Sequence, residues 1–219
     1  MNVDWRSDWL ALCDRLNARG DCANAGKLLV ARYREAHRIY HNLEHVEECL
    51  AQLATFRALG LEPDVIELAI WFHDAVYDPR AGDNEKQSAE LAREFCCTAY
   101  LSSEIGERTA ALILVTKTHL PGDDADAQLL VDIDLSILGQ SRDRFARYEN
   151  AIRQEYGWVP DAAFCEGRAA VLGKFLAPEW IYSTAPFRDR YEEPARANLR
   201  WSLARLASKP APDSESGSN

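Results

Sequence analysis

The chain has 219 residues, 47% of them hydrophobic and 27% charged, and a formal net charge of −10. That length suits one large domain with a sizeable core or, less comfortably, two small ones. The negative balance excludes non-specific binding to nucleic acid, which needs a basic face, so an anionic substrate would need local help from a metal ion or basic side chains.

The N-terminus, MNVDWRSDWLALCDRL, carries acids and lacks the basic-then-apolar order of a signal peptide. No apolar run reaches 18 residues, so no membrane span is expected. The six cysteines have no CxxC spacing and read as buried thiols of a reducing compartment, the vicinal pair Cys96 and Cys97 included. A cytoplasmic location is expected.

Apolar residues at helical spacing (Trp5, Trp9, Leu12, Cys13, Leu16) predict a helix over residues 3–17, with Gly20 as a stop signal. A second helix is expected over 25–35. In the following segment His37, His41 and His45 fall four apart, along one strip of a helix if the helix begins that early. Gly60 ends that segment and Pro63 opens the next helix. This one runs through ELAIWF into His73 and Asp74, with AVYD after them. An unpaired carboxylate among those apolar residues is costly to bury, so Asp74 should be hydrogen-bonded, paired or bound to a metal. Adjacent helical side chains diverge by roughly 100°. A His-Asp doublet can nonetheless put one imidazole nitrogen and one carboxylate oxygen on a single ion at a helix end.

After the turn-rich PRAGDN, a helix over 84–97 can be capped by Asp83 or Asn84, and another covers 102–118 with His119 at its end. Asp132 and Asp134 sit in the apolar LLVDIDLSILG; two apart, they point to different sides of a helix, so at most one is expected to share an ion. Helices over 142–156, 161–176 and 188–206 follow, the last interrupted or started by Pro194. The tryptophans at 5, 9, 71, 158, 180 and 201 are expected to be core or helix-packing residues. Residues 208–219, ending SESGSN, are expected to be a disordered tail. With no strand pattern and no repeat, the chain reads as all-α, one helical domain over 1–207.

His45, His73, Asp74 and Asp134 are side-chain types that bind divalent metals. Two neutral imidazoles and two carboxylates balance the charge of such an ion. An oxygen-rich set of this kind suits Mn, Mg, Fe(II) or Co somewhat better than Zn. The stretches YHNLEHV (40–46), FHDAVYD (72–78), NEKQSA (84–89), TKTH (116–119) and DIDLSILG (132–139) resemble the HD-domain superfamily. Within it they resemble bacterial proteins described as predicted metal-dependent phosphohydrolases. GRAAVLGKFLAPEWIYST and EEPARANL are similar to the same subgroup, so the resemblance spans about residues 37–199.

The resemblance implies His45 as first ligand, His73 and Asp74 as the doublet and Asp134 as the last. Asp134 is favoured over Asp132 because DLS is similar to a segment of cyclic-nucleotide phosphodiesterases, which are also HD proteins. By the same likeness His41 would donate a proton to the leaving oxygen, one turn from His45. The features that hold a cyclic nucleotide are not recognisable here. His119 either reaches the phosphate or a second ion, or is a polar helix end. Lys117 and Arg38 could neutralise phosphate oxygens but read more simply as solvated. Glu85 and Ser88 could touch substrate, although a first-turn acid explains Glu85 equally. His37 is expected to be structural, and Arg168 and Arg196 to form salt bridges between helices.

The expected activity is hydrolysis of a phosphate ester or pyrophosphate of a small, nucleotide-like metabolite by a metal-activated water. A non-catalytic metal- and nucleotide-binding protein is the alternative, and a two-iron oxygenase a weaker third. No nucleic-acid or membrane partner is expected; apolar helices at both ends leave a homodimer open.

Overall fold

The computed structural model describes residues 4–208. Among them the regular structure is ten α-helices and two short 3-10 helices, with no strand, so the chain is all-α. It divides into two compact units, Met1–Leu135 and Ser136–Asn219. The part of the expected tail beyond Ser208 lies outside the described residues. No helix is long and apolar enough to cross a membrane among the described residues.

The first unit holds α1 (Trp5–Arg15), α2 (Cys22–Tyr33), α3 (Leu43–Phe56), α4 (Pro63–Phe72), α5 (Asn84–Thr98), α6 (Ser103–Thr116) and α7 (Ala125–Asp134). Local sequence sets most of their starts. Asp4, Asp21, Asn42, Ser102 and Asp124 each accept a hydrogen bond from a first-turn N–H that no helical carbonyl can serve. Pro63 stands in the first turn of α4, where its missing N–H costs nothing. Gly20, in the loop after α1, has φ +93°, and a Cβ there would come within 2.9 Å of the Thr98 carbonyl oxygen.

The axis of this unit is α4. Every residue from Val65 to Phe72 is buried, and a helix apolar on all sides must be surrounded by others. Helices α1, α3, α5, α6 and α7 pack against it. Trp9 meets Trp71 edge-on at 5.6 Å and Phe95 at 5.1 Å, and the Tyr33 hydroxyl donates to the Trp71 carbonyl at 3.0 Å. Glu67, the buried charge of α4, is paired with Arg15 at 2.5 Å and Arg57 at 2.8 Å, as a carboxylate taken out of water must be. Arg108 of α6 holds the start of α7 through Asp124 and, at 3.0 Å, through Asp126. Asp126 also accepts the Leu61 N–H at 2.7 Å. These contacts set the helix whose last residue is Asp134.

The expected histidine strip does not form. Helix α3 begins only at Leu43, so His37 and His41 lie in the preceding turn and His45 alone is helical. Asn42 decides this: its side-chain oxygen accepts the Glu44 N–H at 2.9 Å, and an Asn N-cap starts a helix rather than continuing one.

The second unit contains α8 (Arg142–Glu155), α9 (Asp161–Leu176) and α10 (Ala185–Ala207). Contrary to expectation, α10 runs straight through Pro194. Phe187, Tyr191, Ala195 and Leu199, four apart, are all almost fully buried. Burying that stripe contributes several kcal/mol, enough to offset the roughly 3 kcal/mol cost of an internal proline. Gly139 meets the same helix so closely that a Cβ would sit 2.6 Å from the Tyr191 Cβ. Arg168 pairs with Glu149 of α8 at 2.5 Å. Arg196 pairs with Glu192 at 2.7 Å and donates to the carbonyls of Leu176, Pro178 and Glu179 after α9. Arg168 thus bridges α8 and α9 as expected, whereas the salt bridge of Arg196 lies within α10 and its tie to the end of α9 runs through carbonyls. Trp9 and Trp71 are core, but Trp158 and Trp180 are 49% and 48% exposed. They lie against Tyr156 and the Arg188 guanidinium, an arrangement that suits a ring with one apolar face and one wet edge.

Candidate metal centre

Helix α4 stops at Phe72 and His73 closes it, its N–H bonded to the Ala69 carbonyl at 2.8 Å. The His73 Nδ1 faces the Ile70 carbonyl at 2.8 Å. A carbonyl only accepts, so Nδ1 carries a proton and Nε2 is the nitrogen presented to the site. Asp74 follows in the turn, its Oδ2 3.2 Å from that Nε2. The doublet thus sits at a helix end, where divergence along a regular helix no longer applies.

Two other helices bring the remaining donors. His45, in the first turn of α3, has its Nε2 3.1 Å from the His73 Nε2 and 3.8 Å from Asp74 Oδ2. Asp134, at the end of α7, places Oδ1 3.2 Å from the His45 Nε2 and 3.8 Å from the His73 Nε2. Both histidines are only 3% exposed. Nitrogen and oxygen donors sharing one divalent ion at bond lengths of about 2.1 Å stand roughly 3.0–3.4 Å apart. The five separations just given lie at or a few tenths of an ångström above that range, with Asp74 and Asp134 falling in two clusters that share His45. The group therefore fits a metal ion, and the structure contains clusters able to hold one.

The charges reinforce one another. Burial alone would lower the His73 pKa, but Asp74 beside it, with Asp134, outweighs burial and pushes it up to about 9. Burial would raise the Asp74 and Asp134 carboxyls. The histidines around them, His73 for Asp74 and His119 with His45 for Asp134, hold both below the usual carboxylate range. Positive charge at this position is strongly favoured.

The other expected residues are distributed around the cluster. His119 has φ +54°, a left-handed conformation that turns the chain after α6. Its Nε2 is 3.1 Å from Asp134 Oδ2, the oxygen opposite the one facing His45. His41 lies beside the donors rather than among them, with its ring 6.3 Å from that of His45 and stacked on Tyr77 at 4.2 Å. Asp132 is fully buried and lies outside the donor clusters. His37 accepts a structural role, 2.8 Å from the Tyr77 carbonyl. The Ser88 hydroxyl accepts the Val76 N–H at 3.0 Å, tying α5 to the turn behind the doublet. Glu85 is a half-buried first-turn acid of α5. Lys117 donates to the Gly82 carbonyl at 2.5 Å.

Arg38 departs most from its solvated reading. It is 5% exposed, and its guanidinium donates to the carbonyls of Asp74 at 2.6 Å, Ala75 at 3.1 Å and His41 at 3.1 Å, with Glu35 at 3.0 Å. It also lies over the rings of Tyr33 and Tyr77. One rigid fork thus ties the His41 turn to the doublet. Nothing in the sequence distinguishes such an arginine from a surface one. Arg38→Ala would strand buried carbonyls at a cost of about 3 kcal/mol or more. Arg38→Lys should recover little, since a point ammonium cannot span three acceptors. Chemical denaturation of the three proteins measures this; a lysine variant as stable as wild type would contradict it.

Cys49 is the other residue not foreseen. One turn after His45 on α3 and 2% exposed, its Sγ is 3.8 Å from both ring nitrogens of His45. Burial, then the nearby Asp134, push the thiol well above its ordinary pKa.

Comparison with known proteins adds no relative: no family model, curated protein or solved structure matches the chain.

Proposed function

We propose that this chain is a metal-dependent phosphohydrolase of the HD-domain type, acting on a phosphate ester or pyrophosphate of a small, nucleotide-like molecule. The observation that carries the reading is that His45 stands at metal-ligand spacing from His73 and from Asp134, and His73 from Asp74, the four side chains coming from α3, the end of α4 with the turn after it, and α7. These four residues would hold a divalent ion. The chemistry such an ion supplies is charge neutralisation at a phosphoryl oxygen and activation of a water nucleophile.

The chain's own residues account for the rest. His41, half-buried beside the donors and backed by Tyr77, would give a proton to the leaving oxygen. His119 holds the far oxygen of Asp134, which orients the carboxylate toward His45. Arg38 keeps the backbone carrying His41 and the backbone carrying Asp74 in one register.

The test is hydrolysis of p-nitrophenyl phosphate, bis-p-nitrophenyl phosphate and a panel of nucleotides by the metal-loaded protein. Wild type should turn over at least one of them, and Asp74→Ala should lose both its metal and its turnover. Undiminished hydrolysis by Asp74→Ala would sink the proposal.

A further inference from the structure

The helix pair α1 and α2, far from the four donors in sequence, sets two cysteines against each other. Trp9 of α1 lies on Gly26 of α2, so closely that a Cβ at Gly26 would collide with the indole. The Trp9 indole N–H also donates to the Cys22 carbonyl at 2.7 Å. Cys13 stands four residues after Trp9 on α1, and Cys22 four residues before Gly26 on α2. Residues four apart share a helix face. In an αα-hairpin, where the second helix runs back along the first, the register that seats Trp9 on Gly26 therefore sets Cys13 opposite Cys22. Their side chains are hydrogen-bonded to each other. Both thiols are free; Cys13 is buried and Cys22, the first residue of α2, is half-buried.

Independently of the metal centre, we propose that Cys13 and Cys22 close a reversible disulfide when the protein meets a hydroperoxide, clamping α1 to α2. The hydrogen bond already holds the two sulfurs as neighbours, and bond formation brings them to about 2.05 Å. Burial, and next the hydrogen bond to Cys22, push the Cys13 thiol up. Cys13 therefore keeps its proton, and the more accessible Cys22 is the sulfur that meets the oxidant. Its thiolate attacks one peroxide oxygen, the O–O bond breaks, and the departing hydroxide takes up a proton as water. Cys22 is then a sulfenic acid. The Cys13 sulfur attacks the Cys22 sulfur, the S–S bond forms, the S–O bond breaks, and the Cys13 proton leaves with the hydroxyl as a second water. The two thiols together lose two electrons and the peroxide gains them.

In a reducing compartment the pair rests as a dithiol, and the bridge is a transient response to oxidant. Its effect is mechanical. Trp9 and Arg15 of α1 both contact α4, so a cross-link from α1 to α2 fastens part of the wall around the central helix. Closing a short loop also restricts the unfolded chain, which raises stability.

The full-length protein, fully reduced and then treated with stoichiometric hydrogen peroxide, tests this. Its intact mass should drop by about 2 Da as two thiols become one disulfide, and it should lose two of its six titratable thiols. Trypsin should release residues 7–15, SDWLALCDR, joined to residues 20–27, GDCANAGK, and dithiothreitol should separate them. The thermal midpoint should rise on oxidation and return on reduction. Cys22→Ser, altered at a half-buried position, should give neither the joined peptide nor the rise. A bridge through any other cysteine, or oxidation that ends in sulfinic acid with no bridge, would overturn the pairing. A Cys13–Cys22 bridge that leaves the midpoint unchanged or lower would overturn the clamp. The peptide map of wild type needs no variant, so it decides the pairing even where Cys22→Ser fails to fold.

Discussion

Metal affinity is expected to fall by up to about tenfold per pH unit below about 9, or roughly 50-fold between pH 9 and pH 7. The cause is competition at His73. In the metal-free protein Asp74 and Asp134 hold a proton on this ring until about pH 9, and a metal ion must displace it to reach Nε2. Stability moves the opposite way without metal. A folded-state pKa raised above the ordinary histidine value of about 6.5 stabilises fully below that value, and the contribution is lost as pH rises through about 9. The depressed pKa values of Asp74 and Asp134 act at the acid end, where their contribution is lost as pH falls below the ordinary carboxylate range. The metal-free melting temperature should therefore decline from pH 6.5 to pH 9 as far as this cluster controls it. The upward shift on adding metal should grow over the same window. Chelator-competition titrations at pH 7, 8 and 9, with melting curves alongside, measure both. An affinity flat across that range would mean that no proton is displaced from His73.

Asp134→Ala should lower metal affinity by more than the 10–100-fold that follows loss of an outer-shell partner, whereas Asp132→Ala should keep one ion per chain. The two aspartates are neighbours in DID and chemically identical. Asp134 has an oxygen 3.2 Å from the His45 Nε2, while Asp132 is buried and belongs to neither donor cluster. Asp132→Ala is expected to cost stability, so folded protein must be confirmed by circular dichroism before its metal is counted. Asp134→Ala also releases His119 from its carboxylate partner. The lost affinity therefore contains the outer contact as well as the ligand, and His119→Ala measures that share separately. Full metal content in Asp134→Ala, with loss in Asp132→Ala, would reverse the assignment.

Much of the fold was legible because its determinants are local. The helix expected over 102–118 starts at its cap Ser102, since orphaned N–H groups and one buried face act within a turn or two, whereas Asp21 starts α2 three residues before the expected 25 and Asp124 starts α7 inside PGDDADA, which reads as a loop. The continuous apolar run before His73 already marked α4 as the helix to be surrounded. Local reading failed where two local preferences competed. Asn42 capped α3 where the histidine spacing suggested a longer helix, and the stripe of Phe187, Tyr191, Ala195 and Leu199 carried α10 through Pro194.

By itself, then, the sequence determined an all-α chain, the central helix and the residue types able to bind a metal, because composition, periodicity and capping act over short distances. The tertiary structure decided which of those residues meet. It chose Asp134 over Asp132 as the neighbour of His45, turned Arg38 from a surface charge into a buried fork on three carbonyls, and set the Cys49 sulfur beside His45 and Asp134. The reason is that α3, α4 and α7 are brought together only by the packing around α4, and a side chain's direction depends on where its own helix begins.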